Sequence, residues 1–308
     1  MYQSRVICVQ KPIFYVHYIL SVHIYEKHPM ESTKNELVVK SNKLIEASYK
    51  LELAEQRLIL LAIVEARKNG SIFNSEESID VKAQDFAHLF GVTYQTAYEQ
   101  LYKAAKTLFR RYIVIHDIHP QTGKARETEA RWVSSASYIE GIGLIQIRFS
   151  SVVIPFITRL EKEFTSYKIG SVSKMTSTYA IRLYELLLQW ERRGSRNIEI
   201  NWLKNRLQVQ SEYKLLAEFK RRVIDIAVDQ INEHSDLTVS YTQRKSGRTV
   251  THLIFKFEPK PIEKLAAPTP KASTLKLSKK EIERLARVGE SYAEAEERIL
   301  EERRKATI

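Results

Sequence analysis

The sequence predicts an α+β fold in which two units of the same order follow one another along the chain. Each unit runs through a helix, a short helix, a turn, a longer helix and a pair of strands around a polar tip. Helix, turn, helix and hairpin in this order are the layout of a winged helix-turn-helix domain. We therefore predict two tandem winged-helix domains.

The length of 308 residues is typical of about two domains. We assign residues 30–150 to an N-terminal winged-helix domain and residues 151–260 to a C-terminal one. Residues 261–308 are interpreted as a linker and a charged helical tail, since a stretch rich in Ala, Pro and Thr precedes a very polar one. Residues 1–29 are interpreted as an extension or a mis-assigned start, with Met30 as the working start.

The composition of the chain indicates where the protein is located and which kinds of metal or disulfide site it can form. The apolar stretch Val6–Tyr25 is interrupted by charged and proline residues, so it is too broken for a membrane span. The single cysteine, Cys8, permits no internal disulfide and no cysteine zinc site, which favours a reducing, cytoplasmic location. His116 and His119 have no Glu or Cys partner at zinc-ligand spacing, and we interpret them as loop residues. We expect no cofactor, no metal and no enzymatic activity.

In the first unit, Gly91 suits the left-handed cap that ends a helix, and His116–Arg126 is the predicted wing loop because it contains Pro and Gly. Helices are predicted at Leu53–Lys68, at Lys82–Phe90 and from Tyr94 to about Phe109. Strands are predicted at Ser78–Val81, Tyr112–Ile115, Thr128–Tyr138 and Leu144–Phe149.

In the second unit, Ser177 is the candidate N-cap of a strong helix and Gly194 is its stop. Helices are predicted at Ser151–Leu160, Thr178–Arg193 and Trp202–Leu207, and from the turn Gln208–Ser211 to about Asn232. Strands are predicted at Asn197–Ile200, Leu237–Gln243 and Thr249–Phe257, with a tight turn at Ser246–Gly247.

The positive charge is concentrated in the second unit. Of the formal net charge of +12, residues 151–262 carry 19 basic and 12 acidic groups, whereas residues 30–150 carry 16 and 15. The difference is +7 against +1. A basic domain attracts polyanions, of which nucleic acid is the usual one.

The longest helix of the second unit is the predicted recognition helix. At 100° per residue its core side holds Leu216, Phe219, Val223, Ala227 and Gln230. The predicted DNA contacts of this helix are Lys214, Lys220, Arg221 and Arg222. Arg222 lies on the flank of the outer face, and Lys220 is expected to contact phosphate. Asp225 is expected to pair with Arg221; the alternative is that it accepts a hydrogen bond from cytosine.

Further cations are candidates for DNA binding. The hairpin tip carries Arg244, Lys245 and Arg248, which can reach the DNA backbone. The first unit is a weaker copy, with a core stripe at Ala97, Leu101, Ala104 and Leu108 and an outer face that includes Lys103, Lys106 and Arg110. It is predicted to contact DNA or to form a dimer. Ser177 and Arg182 begin the central helix, whose first amides either hold a phosphate or are capped in the ordinary way.

Three segments resemble a known family. They are NELVVKSNKLIEASYKLELAEQRLILLAI (Asn35–Ile63), STYAIRLYELLLQW (Ser177–Trp190) and FKRRVIDIAVDQINEHSDLTVSYTQRKSGRTVTHLIFKF (Phe219–Phe257). In that order they are similar to plasmid replication initiators of the Rep_3 family, and the tail at Leu285–Ile299 also resembles some members. The match covers roughly Asn35–Phe257; residues 1–29 have no counterpart.

The resemblance implies two winged-helix domains that bind double-stranded DNA without a cofactor. Monomers would bind direct repeats, or iterons, at a plasmid origin, and dimers joined through the N-terminal domain would repress the initiator's own promoter. The helix contacts would be Lys220, Arg221 and Arg222, and the wing contacts Arg244, Lys245 and Arg248. Implied partners are the host replication initiator, helicase and chaperones; no membrane is implied.

Two alternatives stay open. A rolling-circle initiator would need a His–X–His metal signature and a nucleophilic tyrosine, but two residues separate His116 from His119 and sixteen tyrosines make a lone one uninformative. A transcriptional repressor without a role in replication would show the same DNA-binding chemistry.

Overall fold

The computed structural model describes residues 34–68, 76–139, 141–158, 163–261, 285, 290 and 292–305. The chain divides into two compact units, Met1–Pro259 and Lys260–Ile308. The predicted extension or mis-assigned start at residues 1–29 lies outside the described residues.

The first half of the larger unit alternates short strands with helices. Its elements are β1 (Leu37–Ser41), α1 (Asn42–Ile45), β2 (Ser48–Tyr49), α2 (Leu53–Lys68), β3 (Ile79–Lys82), α3 (Ala83–Phe90), α4 (Tyr94–Leu108), β4 (Tyr112–Ile118), β5 (Ala125–Arg131), β6 (Val133–Ile139) and β7 (Leu144–Phe149). The predicted bounds of α2 and β7 are confirmed.

Local sequence signals place the first helix-turn-helix, which is formed by α3 and α4. Gly91 has a φ of +65° and its N–H donates to the Ala87 carbonyl, so it ends α3 in the left-handed conformation that glycine adopts freely. Thr93 is the N-cap of α4 and accepts a hydrogen bond from the Thr96 N–H. The predicted core stripe of α4, with Leu101 and Leu108 fully buried, is confirmed.

The first hairpin differs from its prediction in two ways. The predicted strand Thr128–Tyr138 is two strands, β5 and β6, which are separated at the fully buried Trp132. The predicted wing loop is shorter than His116–Arg126, because β4 continues to Ile118 and β5 begins at Ala125. The turn is closed by His119, whose N–H donates to the Lys124 carbonyl.

The second half of the larger unit ends in a long hairpin. Its elements are α5 (Pro155–Thr158), β8 (Phe164–Lys168), α6 (Gly170–Ser173), α7 (Thr178–Leu188), a 3₁₀ turn (Glu191–Arg193), β9 (Ser195–Glu199), α8 (Ile200–Leu207), α9 (Leu216–Phe219), a π-helical turn π1 (Lys220–Ile224), α10 (Asp225–His234), β10 (Leu237–Ser246) and β11 (Thr249–Pro259).

Some predicted bounds in this half are wrong. The helix predicted at Thr178–Arg193 ends at Leu188, and the 3₁₀ turn that follows closes on Gly194 at a φ of +64°. Within the helix predicted at Ser151–Leu160, the described residues are helical only at Pro155–Thr158.

The long basic helix, defined here as α9, π1 and α10, runs without interruption from residue 216 to residue 234. It starts four residues beyond the predicted position, because residues 209–215 form a non-helical connection. The preceding helix, α8, ends at Gln208, which adopts a left-handed φ of +56°. Phe219, Val223 and Ala227 are fully buried, as predicted for the core side.

Four antiparallel sheets are described: β1–β8, β2–β4–β5, β3–β7–β6 and β10–β11–β9. The β1–β8 pair joins Val38 to Tyr167 and so crosses the predicted domain boundary between residues 150 and 151. A continuous core of buried side chains extends through both halves. The boundary stays a prediction.

The smaller unit contains α11 (Tyr292–Lys305) in the part predicted as a charged helical tail. Arg298 donates hydrogen bonds to Glu290 and Glu302, and Ala295 and Ile299 are buried. Across the described residues, no helix is both long enough and apolar enough to cross a membrane.

Candidate nucleic-acid interface

The second helix-turn-helix is formed by α8 and the long basic helix. Phe219, Val223 and Ala227 of the long basic helix are buried, and the side chains of Arg221 and Arg222 are exposed. Within the described part of the chain, neither arginine forms a hydrogen bond or an ion pair. Both guanidinium groups are therefore available to a ligand.

Lys220, Arg221 and Arg222 all lie in the π-helical turn. A π-turn adds a residue to the helical repeat, and such turns occur frequently at functional sites. Here Val223 and Ile224 are both buried, so the turn faces its apolar end inward and two successive arginines outward. Lys220 is half-buried, with its Nζ 5.6 Å from the Tyr241 ring centre.

Two predictions for this helix are wrong. Lys214 is exposed but lies in the connection before α9, because the helix starts only at Leu216. Asp225 does not pair with Arg221; its Oδ1 accepts a hydrogen bond from the Tyr241 hydroxyl at 2.5 Å. Burial and this hydrogen bond raise the pKa of Tyr241. Asp225 is thereby fixed to the hairpin, which leaves Arg221 without the expected partner.

The second wing is the tip of the β10–β11 hairpin. Arg244, Lys245 and Arg248 are all exposed there, and Gly247 turns the chain with a φ of +60°. The strand register shifts between Arg244 and Lys245, as in a β-bulge. Arg244 lies 2.9 Å from His252 Nε2, whereas Lys245 and Arg248 form no side-chain bond within the described residues.

The first helix-turn-helix also exposes cations. Lys103, Lys106 and Arg110 lie on the outer face of α4 or just beyond it, as predicted. Lys106 donates a hydrogen bond to the Tyr102 hydroxyl and its Nζ is 4.0 Å from that ring's centre. Lys106 is thus partly engaged.

One cation of the first wing, the β4–β5 hairpin, is paired within that hairpin. Arg126 of β5 donates to both carboxylate oxygens of Asp117 on β4, at 2.8 and 2.5 Å. The hydrogen bond from Arg126 lowers the pKa of Asp117. This cation is therefore occupied by its own hairpin.

The start of α7 does not offer the predicted phosphate site. Ser177 makes no side-chain cap bond, and the N–H groups of Thr176 and Ser177 both donate to Gln230 Oε1 at 2.9 Å. Arg182 is 3% exposed, and its guanidinium donates to the carbonyls of Ile45, Ala47 and Arg206. These contacts correct both assignments, because a buried guanidinium with three carbonyl partners cannot reach DNA in this conformation.

The histidines of the first hairpin have local partners. His116 lies on β4, not in a loop, with Nε2 2.9 Å from Ser48 Oγ and Nδ1 3.1 Å from Glu127. Burial, followed by the nearby positive charge of Arg206, lowers the pKa of His116. Among the residues described, no group of three or more His, Cys, Asp or Glu side chains is arranged to hold a metal ion.

Sequence reasoning missed a polar joint where β2 meets α8, which we define as Ser48, Arg182, Asn205 and Arg206. Ser48 Oγ donates to Asn205 Oδ1 at 2.8 Å and accepts from Arg206 at 3.1 Å. One signal could have indicated it. Charged residues at Arg182 and Glu185 interrupt a helix that is otherwise apolar on all sides, and such a charge must be paired when it is buried.

Two family models match the chain in order. The first, described as Initiator Replication protein, WH1, matches residues 37–188, and the second, Initiator Rep protein, WH2, matches residues 199–257. A relative from Escherichia coli, described as an uncharacterized 27.6 kDa protein, is 28% identical over 231 residues. The alignment spans 72% of this chain and 95% of that protein.

One solved structure shares the fold of this chain. The crystal structure of Pi initiator protein in complex with iteron DNA matches with a TM-score of 0.62 at 19% identity, over 74% of this chain and 99% of that one. The WH1 domain of MSBI1.176, a replication protein isolated from a multiple sclerosis patient, is 39% identical. It covers 38% of this chain and 88% of that one, with a TM-score of 0.32.

Proposed function

The chain belongs to the Rep_3 family of plasmid replication initiators, and on this premise we propose that it binds direct repeats at a plasmid origin as a monomer and represses its own promoter as a dimer. The observation that carries the proposal is the pair of exposed arginines on the π-turn of the long basic helix, which have no partner among the described residues. An exposed arginine can donate two hydrogen bonds to guanine O6 and N7 in the major groove.

The second wing supplies the backbone contacts in this proposal. Lys245 and Arg248 extend from a two-stranded hairpin and are well placed to neutralise phosphates beside the groove. Lys214, in the connection before the long basic helix, and Lys220, within its π-turn, act in the same way. The Pi initiator protein shares this fold and was crystallised in complex with iteron DNA, which supports the proposal that this chain binds repeats.

The first unit adds a second DNA contact through Lys103, Lys106 and Arg110, and it also joins two copies in the dimer. Its near-neutral charge suits a surface that must approach both DNA and another copy of the chain. By family resemblance, the monomer bound at the origin recruits the host replication initiator and helicase, and chaperones shift the dimer towards monomer.

A footprint of residues 30–308 on the DNA that flanks its gene tests the proposal. We expect protection of tandem repeats by monomer and of an inverted repeat by dimer. Absence of protection anywhere in that DNA would overturn the assignment.

Replication in trans separates initiation from repression alone. A plasmid that carries only the origin should replicate when the protein is supplied from elsewhere. Failure to replicate despite specific repeat binding would leave a repressor. Nicking of supercoiled plasmid with a divalent metal would instead support a rolling-circle enzyme.

A further inference from the structure

Ser48 holds three elements of the larger unit together. It lies on β2, where its hydroxyl donates to Asn205 Oδ1, accepts from Arg206 and lies 2.9 Å from His116 Nε2. Only 2% of Ser48 is exposed. Asn205 and Arg206 belong to α8, the first helix of the second helix-turn-helix, and His116 belongs to the first hairpin. One hydroxyl therefore connects the first wing to the second helix-turn-helix.

Arg182 adds further contacts to the same joint. Its guanidinium lies 3.6 Å from the centre of the Tyr49 ring and donates to the carbonyls of Ile45, Ala47 and Arg206. The first two carbonyls lie just before β2 in the sequence, and the third lies in the last turn of α8. A planar group with several fixed donors restricts rotation as well as separation.

The edge of the joint carries ion pairs between the same halves. Arg196 of β9 donates to Glu46 at 2.7 Å, and Lys50 pairs with Glu212. Glu46 and Lys50 flank β2 on either side in the sequence.

The joint also has a direct route to the first wing. Ser48 pairs with Val114 of β4, the strand that continues to the wing tip. Hydrogen bonds therefore link β4 to β2 and β2 to α8. Directional bonds of this kind fix orientation, whereas a purely apolar interface can slide.

We propose that the polar joint around Ser48 sets the spacing between the two DNA contacts, with Ser48 and Asn205 as positioning residues that determine which repeat length is bound. This inference rests on the proposed function, in which both units contact one repeat. Each base pair adds roughly 3.4 Å and about 35° of rotation to the duplex. A rigid joint cannot follow that change, so a repeat lengthened or shortened by one base pair loses one of its two contacts.

Duplexes that contain the footprinted repeat, with one or two base pairs inserted or removed between the two contacted segments, test the proposal. For the full chain, we expect affinity to fall at least about tenfold on a change of one base pair, the equivalent of one lost contact. For Ser48→Ala and Asn205→Ala, we expect a fall of about threefold or less. Ser134→Ala is the matched control, because Ser134 is an exposed serine of β6 outside the joint, and it should keep the wild-type profile.

A loss of fold would not mimic this result, because the readout is the ratio between spacings and not the affinity itself. Should either alanine variant melt below the assay temperature, Glu46→Gln takes its place, since the Glu46 side chain is 41% exposed and its ion pair with Arg196 links the same two halves at the edge of the joint. It should relax the spacing preference in the same direction.

The outcomes separate the two proposals. Variants that retain the wild-type penalty overturn the role of the joint. A wild type that protects repeats but is indifferent to their spacing also overturns it, while repeat binding stands. A wild type that protects no repeat overturns both.

Discussion

In the first helix-turn-helix unit, arginines are held by neighbouring side chains of the same unit. Arg111 pairs with the buried Glu55, Arg126 with Asp117, and Arg131 stacks on Phe109 and Tyr112. In the second unit, Arg221 and Arg222 are exposed and have no such partner among the described residues.

The same topology therefore serves two purposes. In the first unit, internal contacts engage Arg111, Arg126 and Arg131, although Lys103, Lys106 and Arg110 stay exposed. In the second, Arg182, Arg196 and Arg206 are engaged, but Arg221, Arg222, Lys245 and Arg248 stay exposed. The net charge is +7 on residues 151–262 and +1 on residues 30–150. Element order alone does not fix function. On the proposed function, the exposed cations of the second unit make it the main reader of DNA sequence.

The largest effect is expected for Arg182, a buried arginine of the polar joint between the two halves of the larger unit. Arg182→Ala should lower the free energy of unfolding by about 3–5 kcal/mol, because it removes a buried guanidinium and leaves three carbonyls without their donor. Denaturant titration measures this. Arg192→Ala, at an exposed arginine after α7, is the control and should change stability by about 0.5 kcal/mol or less. Equal losses for both variants would remove Arg182 from its structural role.

The second largest effect compares DNA affinity after substitutions at the long basic helix and at the end of α4. Arg221→Ala should reduce affinity for the specific repeat by about 1–3 kcal/mol and relax one base position, since a bidentate contact to guanine is lost. Arg110→Ala, at the end of α4, should cost less because the first unit is the secondary contact. Quantitative electrophoretic mobility shift assays on specific and random duplexes measure both affinities. An equal loss of affinity on both duplexes for Arg221→Ala would argue against base recognition by Arg221.

Local periodicity accounts for what the sequence predicted well. The core stripe of α4 recurs every three to four residues, and Thr93 and Gly91 supply local start and stop signals. The long basic helix has a weaker signal. Its N-cap is Leu215, which makes no side-chain cap bond, so nothing local marks its start and Lys214 was placed on it.

Contacts between distant residues account for what the sequence missed. Ser177 meets Gln230 across 53 residues, and Arg182 meets Ile45 across 137. A helix start viewed alone resembles a phosphate site, and a lone arginine resembles a DNA contact. The folded chain brings a glutamine to the first and buries the second, which no periodicity can show.

A smaller effect compares the two wings. Lys245→Ala should weaken binding to all sequences and lower the salt dependence, the slope of log K against log salt, by about 1, because it removes one phosphate contact. Lys124, an exposed lysine at the tip of the first hairpin, is the matched residue, and Lys124→Ala should change the slope less. Binding isotherms at several salt concentrations measure both slopes. The same slope for both variants would mean that the two wings contribute equally.

The smallest effect tests whether the first wing's cation is occupied in solution. Because Arg126 holds the pKa of Asp117 below its ordinary value, Arg126→Gln should raise that pKa back towards the ordinary value. A carboxyl group whose pKa is lowered by folding stabilises the folded state at pH values above its ordinary pKa. This stability is lost as the pH falls through the folded-state pKa. The pair is exposed, so only a slight change in stability is expected and an NMR titration of the Asp117 carboxyl is the direct measurement. If Asp117 titrates alike in both proteins, Arg126 is free, and the first wing then becomes as available to DNA as the second.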